Sequence, residues 1–122
     1  MVPRISRLEK VALWLPVVAW AGFIYFLSSI PYLRITNAWY DIILRKMAHA
    51  FMFGVLARLL VRGFRGSTYW PWKKIFAWSV IFSFLYACSD EYHQAYVPGR
   101  GASAVDVSID TLGAWLALGI KP

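Results

Sequence analysis

The chain has 122 residues, enough for one domain. It is 60% hydrophobic and 18% aromatic, against roughly 45–50% apolar residues in an ordinary soluble domain, which argues against a water-soluble globule. A net charge of +7 taken alone fits nucleic acid or anionic lipid; four long apolar runs select lipid and leave no role for nucleic acid.

In chain order, Arg4, Arg7 and Lys10 precede an apolar run over residues 11–28. A secretory signal has a core of only about 7–15 residues and a small-residue cleavage site. This run is longer, and its exit, Ser28-Ser29-Ile30-Pro31, lacks such a site. It reads as a retained first span. Crossing about 30 Å of hydrocarbon takes about 20 helical residues. Residues 41–61 supply a second candidate, with Lys46 and His49 in its first half, and residues 73–89 a third. The single cysteine, Cys88, falls inside this apolar run, where a buried, inert thiol is expected.

Directly after it comes a dense polar cluster, Ser89-Asp90-Glu91-Tyr92-His93-Gln94, closed by Pro98-Gly99-Arg100. An ionisable group at the membrane centre costs roughly 2.5–3.5 kcal/mol on insertion scales, so such groups persist with partners or a task. Residues 104–120 form the fourth candidate, with Asp106 and Asp110 near its start. Pro31, then Gly63, Gly66 and Pro71, then Pro98-Gly99 and Gly101 mark the connections. There is no repeat or second domain. The expectation is all-α: one membrane domain over 1–122, a compact bundle of four transmembrane helices.

Lys and Arg near span ends set orientation. If the chain crosses four times, Arg4, Arg7, Lys10, Arg58, Arg62, Arg65, Lys73, Lys74 and Lys121 share one side, and Arg34, Arg45, Lys46 and Arg100 the other. Both termini are therefore expected in the cytoplasm. Tyr69, Trp70 and Trp72 then anchor the cytoplasmic connection at headgroup level.

That orientation gathers the polar residues at the outer face. Lys46 and His49 are three apart and share a helix face. Asp106 and Asp110 are four apart, continued by Gly113 and Ala117, a small-residue stripe that permits close helix approach. Asp90 pairs by spacing with His93 and Gln94 if the third helix runs through them. Facing inward, these stripes make one polar pocket. Carboxylates and histidine suit acid–base work, with Asp90, Glu91, His93 and His49 as catalytic candidates. Lys46 and Arg100 suit an anionic group, with Gln94, Asp106 and Asp110 completing a substrate site. The oxygen and nitrogen ligands suit a divalent cation, although no spacing matches a defined metal motif. The same groups suit a proton relay. The plainer roles are neutralisation of Lys46 or Arg100 by an aspartate, helix-dipole compensation by Asp106, a core role for His49, and snorkelling by Arg58, Arg62 and Lys74.

These motifs resemble the VanZ-like family of small bacterial membrane proteins. The matching pieces are Ser28-Ser29, Lys46-x-x-His49, Ser89-Asp90-Glu91-x-His93-Gln94-x-x-x-Pro98-Gly99-Arg100, and Asp106-x-x-x-Asp110-x-x-Gly113. The family often carries Asn where this chain has Asp110, and an aromatic, often Tyr, where it has Phe53. The resemblance implies a bacterial cytoplasmic-membrane protein acting at its outer face, in the cell envelope and in low-level resistance to teicoplanin, a lipoglycopeptide. It supplies no reaction. Three mechanisms stand: an enzyme on a lipid-linked or amphiphilic substrate, a non-catalytic binder of a lipid headgroup or glycopeptide, and a proton-coupled lipid or drug transporter. The last needs an oligomer, since four short helices leave little room for alternating access.

Overall fold

In the computed structural model, residues 5–99 and 103–119 are described. They form four helices: α1 (Arg7–Ser28), α2 (Asp41–Ser67), α3 (Trp72–Gln94) and α4 (Ala104–Gly119). Arg100, Ile120 and Lys121, which figure in the expected site, span and charge pattern, lie outside the described residues.

Three of the helices have a local reason for where they start. Ser6 caps α1, its hydroxyl accepting the Glu9 amide at 3.1 Å. Pro71 opens the chain into α3 from an extended backbone. Ser103 caps α4, its hydroxyl accepting the Asp106 amide at 3.1 Å. Pro16 lies inside α1 and has no N–H for the Ala12 carbonyl one turn back. Arg62 of α2 supplies that donor, its guanidinium reaching Ala12 O at 3.3 Å and Leu13 O at 3.4 Å. Sequence assigned Arg62 to snorkelling or to setting orientation; here it also repairs the neighbouring helix.

α2 is the central element and packs against the other three, most extensively against α4. Contacts fix the directions. Trp14 meets Phe64 edge-on, and the Trp20 indole donates to Met52 O at 2.8 Å, so α1 and α2 are antiparallel. Lys46 meets Asp106 while Gly54 faces Ala117, so α2 and α4 run parallel. The Tyr86 hydroxyl donates to Ala21 O, and His93 meets Ser29, so α1 and α3 run parallel. The result is an up-down-up-down bundle.

Burial runs against the habit of soluble proteins. Leu15, Val18, Phe26, Phe51, Leu85 and Leu116 are all exposed, while Ser28, Ser79, Ser83, Asp90 and Asp110 are buried. So broad an apolar exterior marks a surface made for lipid or a partner. α1 and α2 are long and apolar enough to cross a membrane. α3 and α4 fall short of that measure. The first carries Lys73, Lys74, Asp90 and Glu91, and the second has 16 residues. Four helices stand as expected, but only two qualify as spans on their own composition.

One alternative is decided and one expectation changes. α3, whose end the sequence leaves open between Ser89 and Gln94, runs on to Gln94. Cys88 is exposed rather than buried, because Ala87 and Asp90 take the inward positions and leave Cys88 on the outer face of α3.

Trp20→Phe tests the α1–α2 tie. The ring stays and the Met52 bond goes, so a loss of about 0.5–1.5 kcal/mol is expected, read by denaturant unfolding in micelles.

Candidate functional site

At the end of the bundle where α2 and α4 begin and α3 ends, a pocket of about 360 Å³ opens. Lys46 and His49 from α2, Glu91 and Gln94 from α3, and Asp106 and Asp110 from α4 line it, with Arg45, Gly99 and Ser103 at its edges.

His49 is its organising side chain. Nδ1 lies 2.9 Å from Asp110 Oδ1, and Nε2 lies 3.1 Å from Asp90 Oδ2. The first is a well-formed hydrogen bond. The second has ion-pair distance but poor alignment, so among the described residues neither Asp90 oxygen has a hydrogen-bond partner, and nor does Asp110 Oδ2. Both aspartates are buried, at 2% and 1% exposure, whereas the His49 side chain keeps 20% of its surface open. With a proton on each nitrogen the ring donates toward both carboxylates; with one, it serves only one of them. Phe53, fully buried one turn further along α2, packs edge-on to the ring at 5.2 Å between centroids.

The rim consists of pairs. Lys46 is ion-paired with Asp106. Arg45 Nε reaches Asp41 Oδ2 at 2.7 Å, and the other Asp41 oxygen accepts the Ile35 and Thr36 amides at 2.7 and 2.9 Å. That pins the loop before α2. Glu91 Oε2 accepts the Ser103 amide at 2.9 Å, so α3 positions the cap of α4. Across the top, the Tyr32 amide donates to Pro98 O at 3.2 Å. Gly99, at φ +77°, leaves room for the Tyr32 ring, which any Cβ there would strike.

The structure thus brings together Lys46, His49, Glu91, Gln94, Asp106 and Asp110, with Asp90 behind His49. His93 goes elsewhere. Its Nε2 lies 2.9 Å from Ser29 Oγ, and its ring stacks on Tyr25 at 4.2 Å between centroids. Helix geometry explains the split. At about 100° per residue, Glu91 and Gln94 turn to one side of Asp90 and His93 about 60° to the other. The Ser29 hydroxyl donates to Tyr25 O at 2.8 Å. Having one proton, it accepts from His93 Nε2–H, so Ser29 is not set up as a nucleophile activated by that histidine.

Lys46, expected either to hold an anion or to be neutralised by an aspartate, is paired with Asp106. The side chains weighed as cation ligands, Asp90, Glu91, His93, Asp106, Asp110 and His49, do not form one site: among the described residues no group of three His, Cys, Asp or Glu side chains is arranged to hold a metal ion. The reason is that His49 lies between Asp90 and Asp110 and separates them, instead of turning with them toward a common point. Sequence reasoning passed over Ser103, although Ser103-x-x-Asp106 ahead of an apolar run is a capping signal. It also passed over the Arg45–Asp41 pair, whose spacing of four was available.

Further along the α2–α4 seam, one turn beyond Lys46 and His49, lies an apolar groove of about 570 Å³. Ala50, Gly54, Gly113 and Ala117 give it small-residue walls, Phe51, Val55 and Leu59 flank it, and Arg58 and Arg62 line it further along α2. Polar pocket and apolar groove therefore share one seam.

No curated protein and no solved structure matches this chain. A family model, VanZ/LLP1, matches residues 6–121. That stretch takes in all four helices and every side chain of the pocket, and the chain belongs to the VanZ/LLP1 family.

Proposed function

We propose that this protein spans the bacterial cytoplasmic membrane with four helices and works at its outer face, in cell-envelope or lipoglycopeptide-resistance chemistry. The polar pocket takes the headgroup of a lipid-linked or amphiphilic molecule, and the α2–α4 groove takes its hydrocarbon. The observation that carries this reading is the seam itself, with a pocket lined by His49, Lys46, Glu91 and Asp110 at one end and the apolar trough directly beyond it.

His49 is the acid–base group. Among the described residues it alone combines an open face on the pocket with two buried carboxylates that fix its orientation, the arrangement by which an imidazole exchanges a proton with a bound substrate. Asp110 and Asp90 position it. The Lys46–Asp106 pair and Gln94 hold the headgroup.

In a susceptible bacterium, expression of the wild-type chain is expected to raise tolerance to a teicoplanin-type lipoglycopeptide. His49→Gln, present in the membrane in equal amount, is expected to lose that gain, because removing an acid–base group slows a reaction by about 10²–10⁴-fold. Undiminished tolerance in His49→Gln contradicts the proposal. Lipid analysis of the same cells separates chemistry from recognition: a new envelope product assigns turnover, and tolerance without one assigns binding.

A further inference from the structure

A second cleft, of about 420 Å³, lies at the opposite end of the bundle between α2, α3 and α4. Its lining is unlike the first. Arg58 and Arg65 of α2, Trp72 and Phe76 of α3, and Leu118 and Gly119 of α4 face it, and no acid lines it among the described residues. Arg58 and Arg65 are seven residues apart, two turns along one helix face, so their guanidinium groups address the same cleft from two heights about 10 Å apart along the axis. The Arg65 guanidinium rides on the Trp72 ring at 4.8 Å, which fixes the cation while leaving its N–H edge for a ligand. Arg58 holds an interaction within the protein, and a guanidinium with five donors has others to give.

We infer that this cleft is a binding site for the phosphate headgroup of an anionic phospholipid in the leaflet opposite the polar pocket. Basic pockets between membrane helices on the cytoplasmic side are the places where anionic lipid headgroups settle. The guanidinium fork matches phosphate oxygens, Trp72 lies at the headgroup level that tryptophan favours, and Phe76 and Leu118 offer apolar contact to the glycerol and first acyl carbons. The site lies apart from the outer pocket; Arg58 also lines the α2–α4 groove, whereas Arg65 and Gly119 belong to this cleft alone among the two.

The test uses the full chain in phosphatidylcholine nanodiscs containing increasing phosphatidylglycerol, with retained lipid counted by native mass spectrometry. Wild type is expected to retain phosphatidylglycerol over phosphatidylcholine by about tenfold or more. Arg58→Gln with Arg65→Gln is expected to weaken that retention about 25-fold, about fivefold for each cation removed near the surface. Gly119→Glu guards against misfolding as the cause. A side chain there meets open space, so the fold is kept while a carboxylate enters the cleft, and the same loss is expected. Arg7→Gln with Lys10→Gln removes equal charge outside the cleft and is expected to leave retention unchanged. Three results overturn the inference: equal retention of the two lipids, an equal loss in the Arg7 and Lys10 variant, or soluble glycerol phosphate binding as tightly as the lipid.

Discussion

Asp110→Ala is expected to destabilise the protein by about 3–5 kcal/mol, the loss that follows when one partner leaves a buried charged pair. Asp110 is 1% exposed and accepts from His49 Nδ1 at 2.9 Å. Without it that nitrogen has no acceptor, and the ring is free to swing into the pocket. Asp110→Asn is expected to lose much less, about 1–3 kcal/mol, because the amide oxygen still accepts from Nδ1. Denaturant unfolding in micelles, read for both variants, checks the order. Equal losses in Ala and Asn would mean that the negative charge, not the accepted hydrogen bond, holds His49.

The second large effect is expected where α2 and α4 touch. A Cβ on Gly113 would run into the Ala50 carbonyl, with the Ala50 carbonyl carbon 2.9 Å and Cα 3.0 Å away. These are backbone atoms of a neighbouring helix and do not step aside as a side chain end would. Gly113→Ala must part the two helices, with a loss of about 1–3 kcal/mol from overpacking. It also stretches Lys46–Asp106 and His49–Asp110, which bridge the same seam one turn away. Gly54→Ala meets Ala117 Cβ at 3.1 Å and Gly113 O at 3.3 Å, a milder crowding. Gly22→Ala meets nothing within 4 Å and is expected to be neutral or to stabilise by up to about 1 kcal/mol through helix propensity. The order Gly113, Gly54, Gly22 in unfolding free energy is the check; a neutral Gly113→Ala would mean that the helices do not approach so closely.

Much of this site was legible in the residues. The stripes Lys46–His49 and Asp106–Asp110 lie on ordinary helical spacing, and the small positions Gly113 and Ala117 announce a close helix contact. The structure places these stripes against one another as the spacing requires. What the residues concealed is direction and company. A polar run after an apolar one reads as the end of a span, yet α3 continues to Gln94 because its polar side chains find partners inside the bundle: Asp90 at His49, Glu91 at the Ser103 amide, His93 at Ser29. None of those partners is near in sequence, so the helix end was set by tertiary contacts that local pattern does not contain. His93 shows the same limit. Spacing made it a neighbour of Asp90, but which side of α3 faces α1 and which faces α4 follows only from the packed bundle. Arg62 is similar, since a topogenic arginine and one that serves the carbonyl freed by Pro16 look alike until α1 and α2 are laid side by side.

The exposed apolar exterior and the buried aspartates point the same way energetically. In a bilayer the outer surface of the bundle gains nothing from folding inward, and the polar groups that cannot face hydrocarbon gather in the interior. Under the proposed four-span topology, a pocket made from those groups opens to the aqueous side and, along the α2–α4 seam, to lipid. Amphiphiles are the molecules that satisfy both boundaries.

The account is tested most directly by photo-crosslinking from the pocket rim in living cells. Ile42 lines the pocket and is 53% exposed, so benzoylphenylalanine in its place reports what sits there. Trp78, an exposed residue on α3, serves as the lipid-facing reference. The prediction is that adducts at position 42 are dominated by one class of amphiphile, that His49→Gln removes this enrichment, and that adducts at position 78 follow the bulk lipid composition in both. Adducts at position 42 that match bulk lipid, with and without His49, would contradict the assignment of this pocket as a headgroup site.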